Sequence, residues 1–214
     1  MKLAIAAASF AAIIGLATPS FAHCGGCAPS EKPAATEEAH SEEAHAPHAA
    51  AFTLKDLAGK EHSLSDFAGK TVVLEWVNYG CPYVKKHYSS DNMQKLQEAY
   101  TAKDVVWLAV ASGNTAKGLT QADADKADSK ATAVLLDPTG ETGKAYDAKT
   151  TPHMIIIDKD GHIAYDGAID SNSSSDAADI QSSENFISPA LDAFLAGETV
   201  AKSKTKPYGC SVKY

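Results

Sequence analysis

The run Thr71-Val-Val-Leu-Glu-Trp-Val77 constrains the fold more than any other stretch. It is apolar and β-branched over the length of one strand, and it has no polar face. Such a segment is read as a strand in the middle of a sheet, covered on both sides. Val105-Val-Trp-Leu-Ala-Val-Ala111 repeats the pattern. Between the two, Tyr83 to Tyr100 has helical spacing, with Val84, Tyr88, Met93, Leu96 and Tyr100 able to share one side.

The flanking segments complete an α/β order. Phe52-Thr-Leu-Lys-Asp-Leu, Gly59-Lys-Glu-His and Leu64-Ser-Asp-Phe predict a short strand, a turn and a helical turn. Leu119 to Asp128 is a polar helix, Ala133-Val-Leu-Leu-Asp137 a short strand, and Thr142 to Tyr146 a helical turn. Met154-Ile-Ile-Ile-Asp158 and Ile163-Ala-Tyr-Asp-Gly167 flank Lys159-Asp-Gly161, where Asp-Gly marks a hairpin. Ser171 to Ser183 reads as a polar loop and Ile187 to Leu195 as a last amphipathic helix. The expected architecture is a mixed β-sheet with helices on both faces, ending in an antiparallel hairpin.

The N-terminus has a different character. Lys2 precedes an apolar stretch, Leu3 to Ala17, and Ser20-Phe21-Ala22 places small residues where a signal peptidase reads. The stretch is shorter than the roughly 20 residues a membrane helix needs, so residues 1–22 are read as a cleaved signal peptide and the protein as exported, periplasmic or extracellular. Residues 23–50 are rich in Ala, Glu, His, Pro and Ser and are expected to be a disordered tail. A domain over 51–200 and a C-terminal tail over 201–214 follow. A formal charge of −8 and a pI near 5.4 exclude a nucleic-acid surface, and no later segment suits a membrane.

Four cysteines carry the candidate chemistry: Cys24, Cys27, Cys81 and Cys210. Cys81 stands where the first buried strand gives way to a helix, and Pro82 falls at the first helical position, where its missing N–H is not needed. The thiol then faces free N–H groups and the positive end of the helix dipole, which favour the nucleophilic thiolate. Lys85, Lys86 and His87 lie in the first turns and are expected to add positive potential. Thr151-Pro152 precedes the hairpin and is a candidate cis bond that would bring Thr151 beside the cysteine, with His153 next to it. His23, Cys24 and Cys27 form a second group suited to zinc or copper(I), or to a simple redox pair.

The order strand, Trp76, Cys81-Pro82, helix, then Thr151-Pro152 and Ile-Ile-Asp-x-x-Gly with a return strand resembles the thioredoxin-like fold over roughly Phe52 to Tyr214. More narrowly it is similar to the redoxin branch, the alkyl hydroperoxide reductase/thiol-specific antioxidant superfamily. The resemblance implies a thiol oxidoreductase acting on peroxide or a protein disulfide, served by an unidentified thiol donor and needing no cofactor. Cys81 would be the reactive thiol. Cys210, reached along a flexible lead over Lys202 to Pro207, is a candidate resolving partner for it; a static Cys81–Cys210 disulfide and a plain tail thiol are the alternatives. Asn78 and Lys85 are candidates for support. Two departures matter. Val84 stands where thioredoxins carry a second cysteine, and the chain has no arginine and no Thr or Ser just ahead of Cys81. A disulfide reductase, or a non-enzymatic binding module using the His/Cys tail, are the alternatives.

Overall fold

The computed structural model describes residues 46–214. The elements in order are β1 Thr53–Asp56, β2 Glu61–Ser63, β3 Val72–Trp76, α1 Pro82–Ser89, α2 Asn92–Thr101, β4 Val106–Ser112, α3 Asn114–Gly118, α4 Gln121–Lys126, β5 Ala133–Asp137, α5 Glu141–Ala145, β6 Thr150–Thr151, β7 His153–Ile157, β8 Ile163–Gly167, α6 Ile187–Leu195 and β9 Cys210–Ser211. Short 3-10 turns lie at Leu64–Phe67 and Ala177–Ser182, the latter within the stretch read as a loop.

Seven strands form one mixed sheet in the order β2-β1-β5-β4-β3-β7-β8. The pairs β3–β4 and β4–β5 are parallel, whereas β7 runs antiparallel to both β3 and β8. β3 and β4 are buried along their whole length, as their unbroken apolar composition requires. Alternation along β3 divides the interior in two. Val73 and Val77 face a cluster with Val84, Met93, Leu96 and Trp107, roofed by α1, α2 and α6. Val72, Leu74 and Trp76 face the other, with Phe52, Leu135, Ile155 and Tyr146. The thioredoxin-like α/β fold expected from the sequence is present.

Three expectations need correction. The single helix over 83–100 is broken between α1 and α2, where Asp91 takes a left-handed φ of 58°. The Ser90 hydroxyl bonds back to the Lys86 carbonyl at 2.8 Å, and the Asn92 amide donates to His87 Nδ1 at 2.9 Å. Short polar side chains of this kind compete for the backbone and end helices. The domain also begins earlier than residue 51: Ile163 N–H donates to Pro47 at 2.9 Å, and Ala49 N–H to Gly161 at 2.8 Å. Finally, residues 201–214 are part of the domain. Thr205 Oγ1 bonds the Ala168 N–H at 2.8 Å and the Tyr165 hydroxyl at 2.6 Å, and β9 pairs with β6. Residues 1–22, read as a signal peptide, and the segment with His23, Cys24 and Cys27 lie outside the described residues.

One core residue is polar. Glu75, in the middle of β3, is fully buried and accepts hydrogen bonds from Trp107 Nε1 at 2.9 Å, Gln97 Nε2 at 3.1 Å and the Tyr88 hydroxyl at 3.0 Å. Burial outweighs these donors and pushes its pKa up to about 7. Because the folded value exceeds the unfolded one of about 4.3, stability is fully present below pH 4.3 and is lost as pH rises towards 7. Burial also holds His87 down to about 4, which adds stability lost on acidification. Comparing wild type with Glu75→Gln by urea unfolding across this range separates the two, since both proteins share His87. The wild type is expected to lose stability relative to Glu75→Gln as pH rises, by on the order of 2–4 kcal/mol at most. Parallel curves would refute the assignment.

Candidate active site

Cys81 is placed by the end of β3. After Val77 the chain turns: the Asn78 side chain accepts the Gly80 N–H at 2.9 Å and its carbonyl accepts the Cys81 N–H at 2.9 Å. Asn78 therefore shapes the turn. Cys81 caps α1, with Pro82 at the first helical position. Its carbonyl accepts the N–H groups of Val84 and Lys85 at 3.1 and 2.9 Å. The side chain is 2% exposed and packs in the α1/α2/α6 cluster.

The sulfur is framed from across the fold. Thr151-Pro152 is a cis peptide, and the Cys81 thiol donates to the Thr151 carbonyl at 3.2 Å. The Thr151 hydroxyl is buried with no hydrogen-bond partner among the described residues. In the β6–β9 ladder Thr151 pairs directly with Cys210. Both cysteines are free thiols. Burial pushes the Cys81 thiol up, but hydrogen bonds from the Cys210 and Thr151 side chains and from the Val84 and Cys210 N–H groups outweigh it, and the net shift is downward. Cys210 moves the other way, to about 11, through burial and the neighbouring Cys81 sulfur. The two thiols are thus shifted apart, Cys81 towards the thiolate and Cys210 towards the protonated form.

The remaining expected residues are distributed as follows. Lys85 is exposed and lines a groove of about 930 Å³ with Asn78, Tyr79 and Gly80. Lys86 and His87 are buried and engage Asp170 and Tyr208. His153 lies on the opposite face of the sheet, its ring 6.1 Å from Trp76. It accepts the Lys149 N–H at Nδ1 (3.3 Å), so Nε2–H donates to Asp166 at 2.7 Å, and it does not support Cys81. Alternation along β7 puts Met154 rather than His153 on the cysteine's side. Glu75 was legible as an acid inside an apolar strand, a residue that must find donors. Asp170 and Tyr208 carry no comparable signal. Among the described residues no group of three or more His, Cys, Asp and Glu is placed to hold a metal.

If Cys210 lowers the Cys81 pKa through its side chain, replacing it must raise that value. Rates of alkylation by a small electrophile, followed against pH with the modified site identified by mass spectrometry, test this. Cys81 is expected to react with a midpoint below the ordinary thiol range, and Cys210→Ser to move that midpoint upward. An unchanged midpoint would show that the pairing has no electrostatic role.

The comparisons agree with this fold. The chain is similar to an uncharacterized conserved protein from Geobacillus kaustophilus, with 27% identity, 79% of this chain and 92% of that chain covered, and a TM-score of 0.66. A hypothetical protein from Sinorhizobium meliloti shares the fold, with 21% identity, coverage of 79% and 94%, and a TM-score of 0.65. The comparison with curated proteins gives no match. The profile of the Redoxin family matches residues 41–181, a span that holds β1 to β8, Cys81 and Thr151-Pro152, and the chain belongs to that family.

Proposed function

We propose that the protein is an exported thiol oxidoreductase that reduces a small peroxide at Cys81 and closes a Cys81–Cys210 disulfide. The observation that carries this is the register Thr151↔Cys210, with the Cys81 thiol 3.2 Å from the Thr151 carbonyl. This register supports a pairing of the two thiols, although their elements are far apart in sequence. The Cys81 thiolate attacks one peroxide oxygen, the O–O bond breaks, and the alcohol or water leaves with a proton. The sulfur becomes a sulfenic acid. Cys210 then attacks that sulfur, and the hydroxyl departs with the Cys210 proton as water. Oxidation of Cys81 removes the thiolate charge that helped keep Cys210 protonated. An external thiol donor supplies two electrons to restore the pair.

Peroxide is preferred to a protein disulfide because of access. Cys81 is 2% exposed, and β9 already occupies the edge of β6 where an extended polypeptide would otherwise pair. A small oxidant needs no such edge. Disulfide reduction is the second reading, favoured by the lack of arginine to hold a peroxide. Export rests on the character of residues 1–22.

One equivalent of hydrogen peroxide added to the reduced protein is expected to remove two hydrogens in intact mass and join Cys81 to Cys210. Cys210→Ser should instead stop at the sulfenic acid, and Cys81→Ser should slow peroxide consumption by ~10²-fold or more. Disulfide formation with oxidised glutathione but not with peroxide would select the second reading. If neither oxidant joins the two cysteines, the reading fails.

A further inference from the structure

Among the described residues Lys86 is the one buried lysine, and its ammonium is wholly enclosed. Nζ lies 3.1 Å from Asp170 Oδ2, donates to the Asn172 carbonyl at 2.8 Å and reaches the Tyr208 hydroxyl at 3.4 Å. It also sits 5.4 Å from the centre of the Tyr208 ring. The Tyr208 hydroxyl donates to Asp170 Oδ1. Asn92 occupies His87 Nδ1 as a donor, so His87 Nε2–H points to the same hydroxyl at 3.3 Å. Tyr208 is thus held by a lysine, a histidine and a carboxylate at once.

Buried ion pairs add little net stability over apolar side chains of similar volume, because desolvation offsets the attraction. Stability is therefore a poor account of this group, and its connectivity is a better one. Lys86 and His87 belong to α1, the helix that Cys81 caps, whereas Tyr208 stands two residues before Cys210. The intervening Gly209 has φ +132°, and a Cβ there would meet the Thr151 carbonyl oxygen at 2.1 Å. That close approach on one side and the half-buried, hydrogen-bonded Tyr208 hydroxyl on the other restrict the backbone leading to Cys210.

We propose that Lys86, Asp170 and Tyr208 form a clamp that positions Cys210 against Cys81, so the disulfide closes with the C-terminal segment still in place. These are positioning residues, and the proposal rests on the redox reading of the two cysteines. It specifies where the partner thiol's advantage comes from: the clamp raises the effective concentration of Cys210 by holding it ready.

Tyr208→Phe removes one hydroxyl and three of its contacts. In the reduced variant Cys210 is expected to be alkylated about tenfold faster than in wild type, the weight of roughly one hydrogen bond. The Cys81–Cys210 disulfide, equilibrated against glutathione, should weaken by a similar factor. In a Cys210→Ser background the same substitution should leave Cys81 alkylation unchanged, as a residue acting only through Cys210 requires. Lys86→Met/Asp170→Leu, which exchanges the buried charges for apolar groups, should keep the unfolding midpoint near that of wild type while loosening Cys210 equally. Unchanged protection of Cys210 in both variants, or a Cys81 effect that persists in full without Cys210, would overturn the clamp. If wild type forms no disulfide while both variants still free Cys210, the clamp stands and the redox reading falls.

Discussion

Strand β3 has a buried neighbour on each side and a filled layer on each face, and the position of its end decides the rest. A strand so enclosed has one register, because a shift of one residue would carry Glu75 and Trp76 to the wrong faces. Its last residue therefore delivers the turn at Asn78 to one place, and Cys81 to the start of α1. The same pairing fixes β7, whose antiparallel register with β3 opposes His153 to Trp76 and sets Pro152 at the same end of the sheet. Both halves of the site descend from one strand.

The electrostatics follow from burial more than from net charge. The chain has a formal charge of −8, yet the residues that matter are enclosed and answer to local partners. Burial alone would make Cys81 a poor nucleophile, and the hydrogen bonds from Cys210 and Thr151 reverse that. Burial does decide Glu75 and, with the adjacent Lys86 charge, outweighs Asp170 at His87, so each is pushed towards its neutral form. The Cys81 pKa is thus lowered by its immediate neighbours. The lysines expected to help from α1 do not: Lys85 is out in the groove and Lys86 is committed to Asp170.

The C-terminal segment gives the fold its particular character. It runs beside β8 through Lys204 and Thr205, passes the Lys86 group at Tyr208, pairs with β6 at Cys210 and ends with the Tyr214 hydroxyl on the Ala148 carbonyl. Its backbone pairs with Asp166 of β8 and with β6 satisfy polar groups that would otherwise be left open there. A short polar stretch with Lys202 and Lys204 reads as a tail because it has neither strand nor helix periodicity. Its order comes from partners supplied by distant elements.

Local chemistry was enough for much of this protein. Apolar runs without a polar face declared the central strands, Asp160-Gly161 the hairpin, and Cys81-Pro82 the start of a helix with a thiol at its cap. Those features depend on period and on residues a few positions apart, which the sequence displays directly. The sequence also raised Cys210 as a partner for Cys81 without being able to place it. Only the tertiary structure decided that Cys210 lies opposite Thr151, that Lys86 is buried, that His153 turns to Asp166 and that the helix after Cys81 breaks at Asp91. These outcomes depend on which face a side chain takes and on what reaches it from across the sheet. No local pattern encodes a donor contributed by a residue a hundred positions away.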